Sequence, residues 1–225
     1  MNYQVKSIDY QDCKEWFLKK HYLKRLPSIT YCFGLYQNNL LIGVCSFGNA
    51  VPLTMKRSIC GQMYEHLVYE LNRLIVNDGH EKNVTSYFVS QCLKQLPHPL
   101  IVVSYADKSQ GHNGYIYQAT NFVYLGLSHT QKDWKIKGEE DKHSRTLMDE
   151  FAFTPNRVEL LRHKYGDRLY QVEREPKHRY VYFLGNKTQK QKFIKELRHS
   201  IQPYPKGQNK RYDASYQPTT QIKLL

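Results

Sequence analysis

The chain lacks the marks of a disulfide-stabilised or zinc-binding protein. It has only five cysteines, an odd number, and no two of them are spaced C-x-x-C. They are Cys13, Cys32, Cys45, Cys60 and Cys92. This argues against a disulfide framework and against a thiolate zinc site, and a reducing cytosol is the expected compartment.

Long apolar runs are also missing. Runs such as residues 40–47 (LLIGVCSF) are far too short to span a bilayer. The first residues (MNYQVKSIDY) do not show the charged-then-apolar pattern of a secretory signal. We therefore expect a soluble, cytoplasmic protein that does not associate with membranes.

Acidic residues are scarce. The chain has 20 Asp and Glu against 33 Lys and Arg, which gives a net charge of +13 at pH 7. Residues 154–225 hold 16 basic and 6 acidic side chains, whereas residues 1–153 hold 17 and 14. A positive field of this kind attracts the phosphate backbone of nucleic acids. A solvated basic surface and binding to an acidic membrane are the alternatives.

The first two-thirds of the chain alternates between strand-like and helix-like segments. The apolar and β-branched runs predict strands at residues 29–36, 40–47, 68–76, 100–105 and 122–127. Helical spacing predicts helices at residues 8–20, 83–96 and 114–120. This alternation predicts an α/β core with a partly parallel sheet.

The remaining third is predicted to add to that core. We expect a hairpin from residues 130–138 and 144–151, and a helix at residues 156–165. A strand at 179–184 and a basic helix at 188–199 are expected to follow. The predicted division is a core at 1–128, a basic extension packed on it at 129–202, and an extended or disordered tail at 203–225.

A dense polar cluster follows the predicted strand at 100–105. Asp107 is the first residue past this strand, and Ser109, Gln110, His112 and Asn113 come next. Open α/β folds place their sites at the carboxyl ends of strands. The alternative is an Asx turn in which Asp107 only caps the loop.

Two further positions are candidates for a site. His21 and Tyr22 follow the first predicted helix, although a lone histidine is most often a surface or core residue. Arg73 lies inside an apolar strand, and arginine is rarely buried without a partner. Either Arg73 and Glu70 face solvent or partners, or Arg73 lines a site and holds an anion.

Several of these segments together resemble the Mom family of bacteriophage DNA-modification proteins. The matching segments are Glu70–Leu74 (ELNRL), Ser104–Asp107 (SYAD) and Gln110–Asn121 (QGHNGYIYQATN), with His21-Tyr22 upstream, followed by Arg25 and Pro27. The resemblance covers roughly residues 10–128, and its central segment is long and specific.

The resemblance implies a GNAT (acetyltransferase)-like mixed sheet flanked by helices, here with a basic C-terminal extension. It also implies modification of the exocyclic amine of adenine in DNA by a methylcarbamoyl-like group, which blocks restriction enzymes. Acetyl-CoA or a related acyl donor and an iron centre are implied as cofactors. His21, Tyr22, Asp107 and Tyr117 fall on metal-binding positions of the family. Tyr22, Arg73, Asp107 and Tyr117 fall on catalytic ones.

The donor site departs from the pattern usual in this fold, in which a glycine-rich turn cradles the CoA pyrophosphate. Residues 77–86 contain one glycine. Asn83, Thr85 and Ser86 can still offer an anion site at the start of the following helix.

For the partner, the resemblance and the charge together lead us to expect double-stranded DNA. A flipped base would be received by an aromatic wall of Tyr22, Tyr105, Tyr115 and Tyr117. The backbone would be held by eight basic residues, although a solvated helix face is the alternative for them. They are Lys187, Lys190, Lys192, Lys195, Arg198, Lys206, Lys210 and Arg211.

Three interpretations of the whole chain stay open at this point. They are a DNA adenine-modifying enzyme, a related acyltransferase acting on another amine, and a non-catalytic DNA-binding protein. A His, carboxylate and phenolate set suits iron, but the same residues can form a hydrogen-bonded network that only fixes the loop. A homodimer is left open.

Overall fold

A computed structural model describes residues 3–49 and 52–207 of the chain. Nine strands are present in these ranges: β1 (Tyr3–Ser7), β2 (Tyr31–Gln37), β3 (Leu40–Gly48), β4 (Val68–Val76), β5 (Leu100–Ala106), β6 (Val123–Leu127), β7 (Gln131–Ile136), β8 (Leu169–Arg174) and β9 (His178–Leu184). Seven α-helices are described: α1 (Tyr10–Glu15), α2 (Leu53–Cys60), α3 (Val84–Gln95), α4 (Tyr115–Ala119), α5 (Ser144–Asp149), α6 (Arg157–Tyr165) and α7 (Lys187–Glu196).

Seven strands form one sheet in the order β1-β2-β3-β4-β5-β9-β6. Every neighbouring pair is antiparallel except β4 and β5, which run parallel. Strands β2 and β3 form a hairpin with a two-residue turn, in which Asn38 and Asn39 both adopt positive φ. The partly parallel α/β sheet expected from the sequence is therefore present, with a single parallel pair.

Helices cover both faces of this sheet. On one face, Phe88 and Cys92 of α3 pack with Tyr117 of α4 over β2–β5 and β9. On the other face, Cys13 of α1 packs against β2 and β3, whereas α2 and α7 pack against β5 and β9 through Ile59 and Phe193. In the described ranges no helix is long and apolar enough to cross a bilayer.

The chain divides into two compact units. Unit 1 comprises residues up to Leu127 together with those from Lys177 onward, and unit 2 comprises Ser128–Pro176. Unit 2 consists of the antiparallel pair β7 and β8 with helices α5 and α6. Its interior is a small cluster centred on Ile136, Leu147 and Leu161.

This division differs from the one expected from the sequence. The predicted boundary at residue 128 separates β9 from the core, yet β9 lies inside the main sheet between β5 and β6. The start of the predicted tail is also attached to unit 1, because Gln202 bridges to Tyr124 and the Tyr204 hydroxyl donates to the Phe122 carbonyl at 2.7 Å. Residues 208–225 of that tail lie outside the described residues.

The hairpin predicted from residues 130–138 and 144–151 is wrong. Strand β7 pairs instead with β8, which follows α5 and α6 in sequence, with Gln131 opposite Arg174. The second half of the expected hairpin forms helix α5, because the His143 side chain accepts from the Arg145 N–H at its start and Leu147 is buried in the small core. Strand β1 and helix α2 were not predicted at all.

Candidate functional site

The two parallel strands of the sheet separate before they end. Backbone pairing of β4 with β5 runs only from Val68–Ile101 to Glu70–Val103, although both strands continue beyond it. A bulge in β4 accompanies the separation, because Ser46 pairs with Arg73 while its neighbour Phe47 pairs with Leu71. A cavity of about 290 Å³ lies at this opening.

The cavity is lined by six separate parts of unit 1. They are the segment after α1, β4 with the loop that follows it, the start of α3, the end of β5, the loop and start of α4, and the residue before β9. All four members of the predicted aromatic wall line it, namely Tyr22, Tyr105, Tyr115 and Tyr117. His21 and Arg73, which are distant from each other in sequence, also line it.

Asp107 directly follows Ala106, which lines the cavity, and its two carboxylate oxygens have separate partners. Its Oδ1 accepts from the Ser109 N–H at 3.1 Å and from the Ser109 hydroxyl at 2.7 Å, which is the predicted capping turn. Its Oδ2 binds Lys177 Nζ at 2.6 Å and accepts from the Tyr22 hydroxyl at 3.5 Å. Burial opposes ionisation of this carboxyl, but Lys177 and Ser109 outweigh it and lower its pKa. Asp107 is therefore a carboxylate at neutral pH.

His21 is held in one tautomer. Its ring is only 6% exposed, and its Nδ1 accepts from the Leu23 N–H at 3.1 Å. A neutral imidazole whose Nδ1 accepts has its proton on Nε2. Burial first, and then the positive charge of Arg73 and nearby His112 and Lys177, lower the pKa of His21 to about 2. The side chain is thus a neutral hydrogen-bond donor.

Tyr22 links the two histidines of the site. Its ring stacks on His21, with centroids 4.5 Å apart and planes 28° apart. The edge of His112 faces it at 6.2 Å and 81°. These two aromatic contacts leave the Tyr22 hydroxyl directed at Asp107.

Arg73 is buried, at 8% exposure, and its guanidinium donates to two backbone carbonyls. Its Nη1 donates to the Asn72 carbonyl at 2.6 Å and its Nη2 donates to the Arg25 carbonyl at 3.1 Å. Burial lowers the pKa of the guanidinium, with Tyr22 and Glu70 acting in the opposite direction. Of the two interpretations of Arg73, the one in which it lines a site agrees with its position at the cavity.

Tyr117 belongs both to the cavity wall and to the large apolar cluster of unit 1. Its ring packs against Phe122 and Tyr180, with centroids 5.4 and 5.3 Å away. Burial raises the pKa of its phenol well above the usual value, despite a hydrogen bond with Ser104. Gly114, at the start of the same helix, has φ of 75°, and any Cβ there would collide with Tyr180. Tyr117 is therefore a neutral phenol in a tightly packed position.

Two charged residues that line the cavity, Glu70 and Lys177, were not among the predicted site residues. Burial raises the pKa of Glu70 to about 7, against the lowering influence of Arg73 and Lys177. Lys177 directly precedes β9, and His178 pairs with Ala106, so the next pair outward brings Lys177 beside Asp107. The sequence shows that Lys177 precedes the predicted strand at 179–184. It does not show that this strand pairs with β5, which is what brings Lys177 beside Asp107.

The three residues predicted for the acyl donor lie at the start of α3, and one of them lines the cavity. Thr85 faces it. The Ser86 hydroxyl donates to the Asn83 carbonyl of its own helix at 2.9 Å. Asn83 adopts φ of 72° and makes no side-chain cap. Donor binding at this helix start stays a prediction.

Most of the residues predicted to bind the DNA backbone are exposed. Lys187, Lys192 and Lys195 are exposed on α7, whereas Lys190 is half-buried there. Arg198 and Lys206 follow the helix and are exposed, and Lys210 and Arg211 lie outside the described residues. Lys190 and Lys192 lie over the rings of Tyr182 and Tyr64, at 5.9 and 5.8 Å. Their contact with DNA stays a prediction.

The predicted iron ligands do not fit a metal ion in this arrangement. With its proton on Nε2 and its Nδ1 accepting, His21 offers no free lone pair. Both Asp107 oxygens are bound by other groups, and Tyr117 is held in its neutral form. Among residues 3–49 and 52–207, no three His, Cys, Asp or Glu side chains lie close enough to share a metal.

Comparison with known proteins agrees with the resemblance seen in the sequence. The family model of the Mom protein family matches residues 2–206. The chain belongs to the Mom protein family. Among curated relatives, the methylcarbamoylase mom of Escherichia phage Mu is 29% identical over 216 residues, covering 92% of this chain and 87% of the relative.

Members of the acetyltransferase fold are among the similar solved structures. A GNAT-family acetyltransferase from Bacillus cereus overlaps 83% of this Mom-family chain and 100% of its own, with a TM-score of 0.44 and 11% identity. A putative acetyltransferase from Salmonella typhimurium, solved with acetyl-CoA, covers 83% and 96% with the same TM-score and identity.

Proposed function

We propose that this protein is a DNA-modifying transferase that adds a small, methylcarbamoyl-like group to the exocyclic amine of adenine and thereby protects DNA from restriction. Membership of the Mom family and the name of the phage Mu relative support the class of reaction. The observation that carries the proposal is the cavity between β4 and β5, where a base, a cation and aromatic rings converge.

Glu70 is the group that accepts the proton of the amine. When the amine nitrogen bonds to the acyl carbon, it loses one proton and the leaving group of the donor departs. A general base works best when its pKa is close to the working pH. Glu70 has a pKa of about 7, whereas that of His21 is about 2 and that of Asp107 is lowered.

Lys177 and His21 stabilise the negative charge that develops on the acyl oxygen. Donors that are already oriented in a water-poor site stabilise such charge strongly. The Lys177 ammonium is oriented by Asp107, and the His21 Nε2–H is oriented by the Leu23 N–H on the opposite nitrogen. A bound acyl donor would lie with Thr85 at the cavity wall and would supply the acyl carbon. The acetyl group of acetyl-CoA contains no nitrogen, so the amide nitrogen of the adduct would have to come with a related donor that already carries it.

The adenine enters from the side of Tyr115. This ring lines the cavity and is 45% exposed, so a flipped base can stack on it, and Tyr22 provides a second ring inside. A volume of about 290 Å³ accommodates a purine with a small adduct. The exposed lysines of α7 hold the DNA backbone, with affinity that falls as salt rises.

Mass spectrometry of nucleosides tests this function. DNA from cells that express the protein should contain a new adenosine adduct, and DNA from cells that express Asp107→Asn should lack it. A modified nucleoside other than adenosine would overturn the assignment of the base. Unmodified DNA in both samples, with the wild-type protein folded, would overturn the enzymatic proposal.

A further inference from the structure

The segment that carries His21 and Tyr22 has little regular structure of its own. It runs from the end of the π-helical turn Trp16–Lys20 to the start of β2, as bends and turns. The geometry points to Asn72 as a positioning residue that fixes this segment on the β4 bulge and so sets the place of His21 and Tyr22. What the two residues then do in catalysis rests on the proposed function.

Asn72 has both ends of its amide engaged. Its Nδ2 donates to the Ser28 carbonyl at 2.7 Å, and its Oδ1 accepts from the Ser46 hydroxyl at 2.7 Å. A carbonyl can only accept, so the orientation of the amide is determined by Ser28. Ser46 is fully buried on β3. The amide therefore connects a rigid strand to the loop.

Because of the β4 bulge, the side chains of Asn72 and Arg73 both reach the segment that precedes β2. The bulge interrupts the alternation of the strand at this point, between the pairs Ser46–Arg73 and Phe47–Leu71. Arg73 then donates to the Arg25 carbonyl, three residues before the Ser28 carbonyl that Asn72 binds. Two adjacent side chains of β4 thus hold two carbonyls of one loop.

Gly48 lets the loop approach closely enough for these bonds. A Cβ at this position would collide with the Ser28 carbonyl. The Thr30 N–H donates to the Phe47 carbonyl at 2.8 Å, which fixes the end of the loop to β3. Side chains on β4 and the backbone of β3 therefore define the path of residues 25–30.

Hydrogen exchange of the native protein measures this positioning without any substrate. Asn72→Asp keeps the shape and the acceptor for Ser46 but sets an oxygen against the Ser28 carbonyl. Loss of the bond to Ser28, together with the repulsion between the two oxygens that replaces it, predicts exchange ~10-fold faster in residues 21–30. Ser46→Ala is the matched control, because it leaves the bond to Ser28 intact and should leave that exchange unchanged. Amides of β5 report that the fold is retained.

A second variant covers the case in which Asn72→Asp does not fold. Gly48→Ala pushes the loop away from β3 and should accelerate exchange in the same residues. In adduct formation, Asn72→Asp should lower kcat while the KM for the donor stays the same. Exchange in residues 21–30 equal to wild type in both variants would overturn the positioning role. Faster exchange in a protein that forms no adduct would uphold it while the proposed function fails.

Discussion

The pKa values of ionisable groups are shifted by different causes in the two compact units of the chain. In unit 1, burial is the largest cause of the pKa shifts of His21, Glu70 and Tyr105. In unit 2, a hydrogen-bond partner on the surface is the largest cause for Glu139 and Lys142. Among the described residues, the largest pKa shifts caused by burial therefore lie in unit 1.

The cores explain this difference. Unit 1 has three apolar clusters on the two faces of a seven-stranded sheet, enough to enclose polar side chains. Unit 2 has one small cluster beneath a two-stranded sheet. A shift caused by desolvation requires a large interior, so we expect the chemistry in unit 1 and a stability in unit 2 that depends on a few side chains.

Leu161→Ala should give the largest effect on stability. Leu161 is fully buried among the few residues of the unit 2 core, and truncation of a buried leucine costs about 3 kcal/mol. Hydrogen exchange should accelerate in β7, β8 and α6 but not in β5. Leu160→Ala, at the half-buried neighbouring position, is the control and should cost less. Equal acceleration in β5 would contradict the independence of the two cores.

Lys177→Met should abolish most of the adduct-forming activity while leaving the stability of unit 2 unchanged. Removing the ammonium leaves the Asp107 carboxylate without its cation and the acyl oxygen without a donor. We expect adduct formation to fall about 100-fold, as for other oriented donors, measured with purified protein and DNA. Lys177→Arg keeps the charge and should retain part of the rate. Equal rates in the wild type and Lys177→Met would refute its role.

Glu70→Gln should lower activity about 10-fold or more and change its dependence on pH. Because the base is the carboxylate and its pKa is about 7, wild-type kcat/KM should rise as the pH increases through 7. The glutamine variant cannot ionise, so this rise should disappear. A rise at the same pH in the variant would assign it to another group. Glu65→Gln, outside the cavity, is a suitable control.

The sequence was sufficient to predict site residues whose position follows from the local pattern of apolar and polar residues. Asp107 was found because an apolar strand ends immediately before it, and this strand is β5. The resemblance added Tyr117 and gave a role to His21 and Tyr22, and no periodicity in the sequence predicts that these residues line a cavity. Both kinds of signal are read along the chain, so neither needs knowledge of strand order.

Site residues whose position depends on the pairing of distant strands could not be predicted from the sequence. Lys177 meets Asp107 only because β9 inserts between β5 and β6, and nothing in the local pattern of β9 names its neighbours. The same holds for β7, whose partner β8 follows two helices later. The pKa of Glu70 also escaped prediction, because burial of a strand carboxyl depends on the packing around it.

Glu150→Gln should give the smallest effect and is the sharpest test of the contrast between units. Glu150 accepts from Lys164 at 2.7 Å and from Tyr165, but the two charged side chains are 23% and 50% exposed. Burial opposes ionisation here, and the two partners outweigh it and lower the pKa of Glu150. The ion pair therefore stabilises unit 2 above pH 4.5 and loses this effect as the pH falls below that value.

Because water screens such exposed pairs, Glu150→Gln should lower the midpoint of thermal unfolding by only about 2 °C, and by less in high salt. A loss comparable with that of Leu161→Ala, unaffected by salt, would mean that surface charges rather than the small core stabilise unit 2.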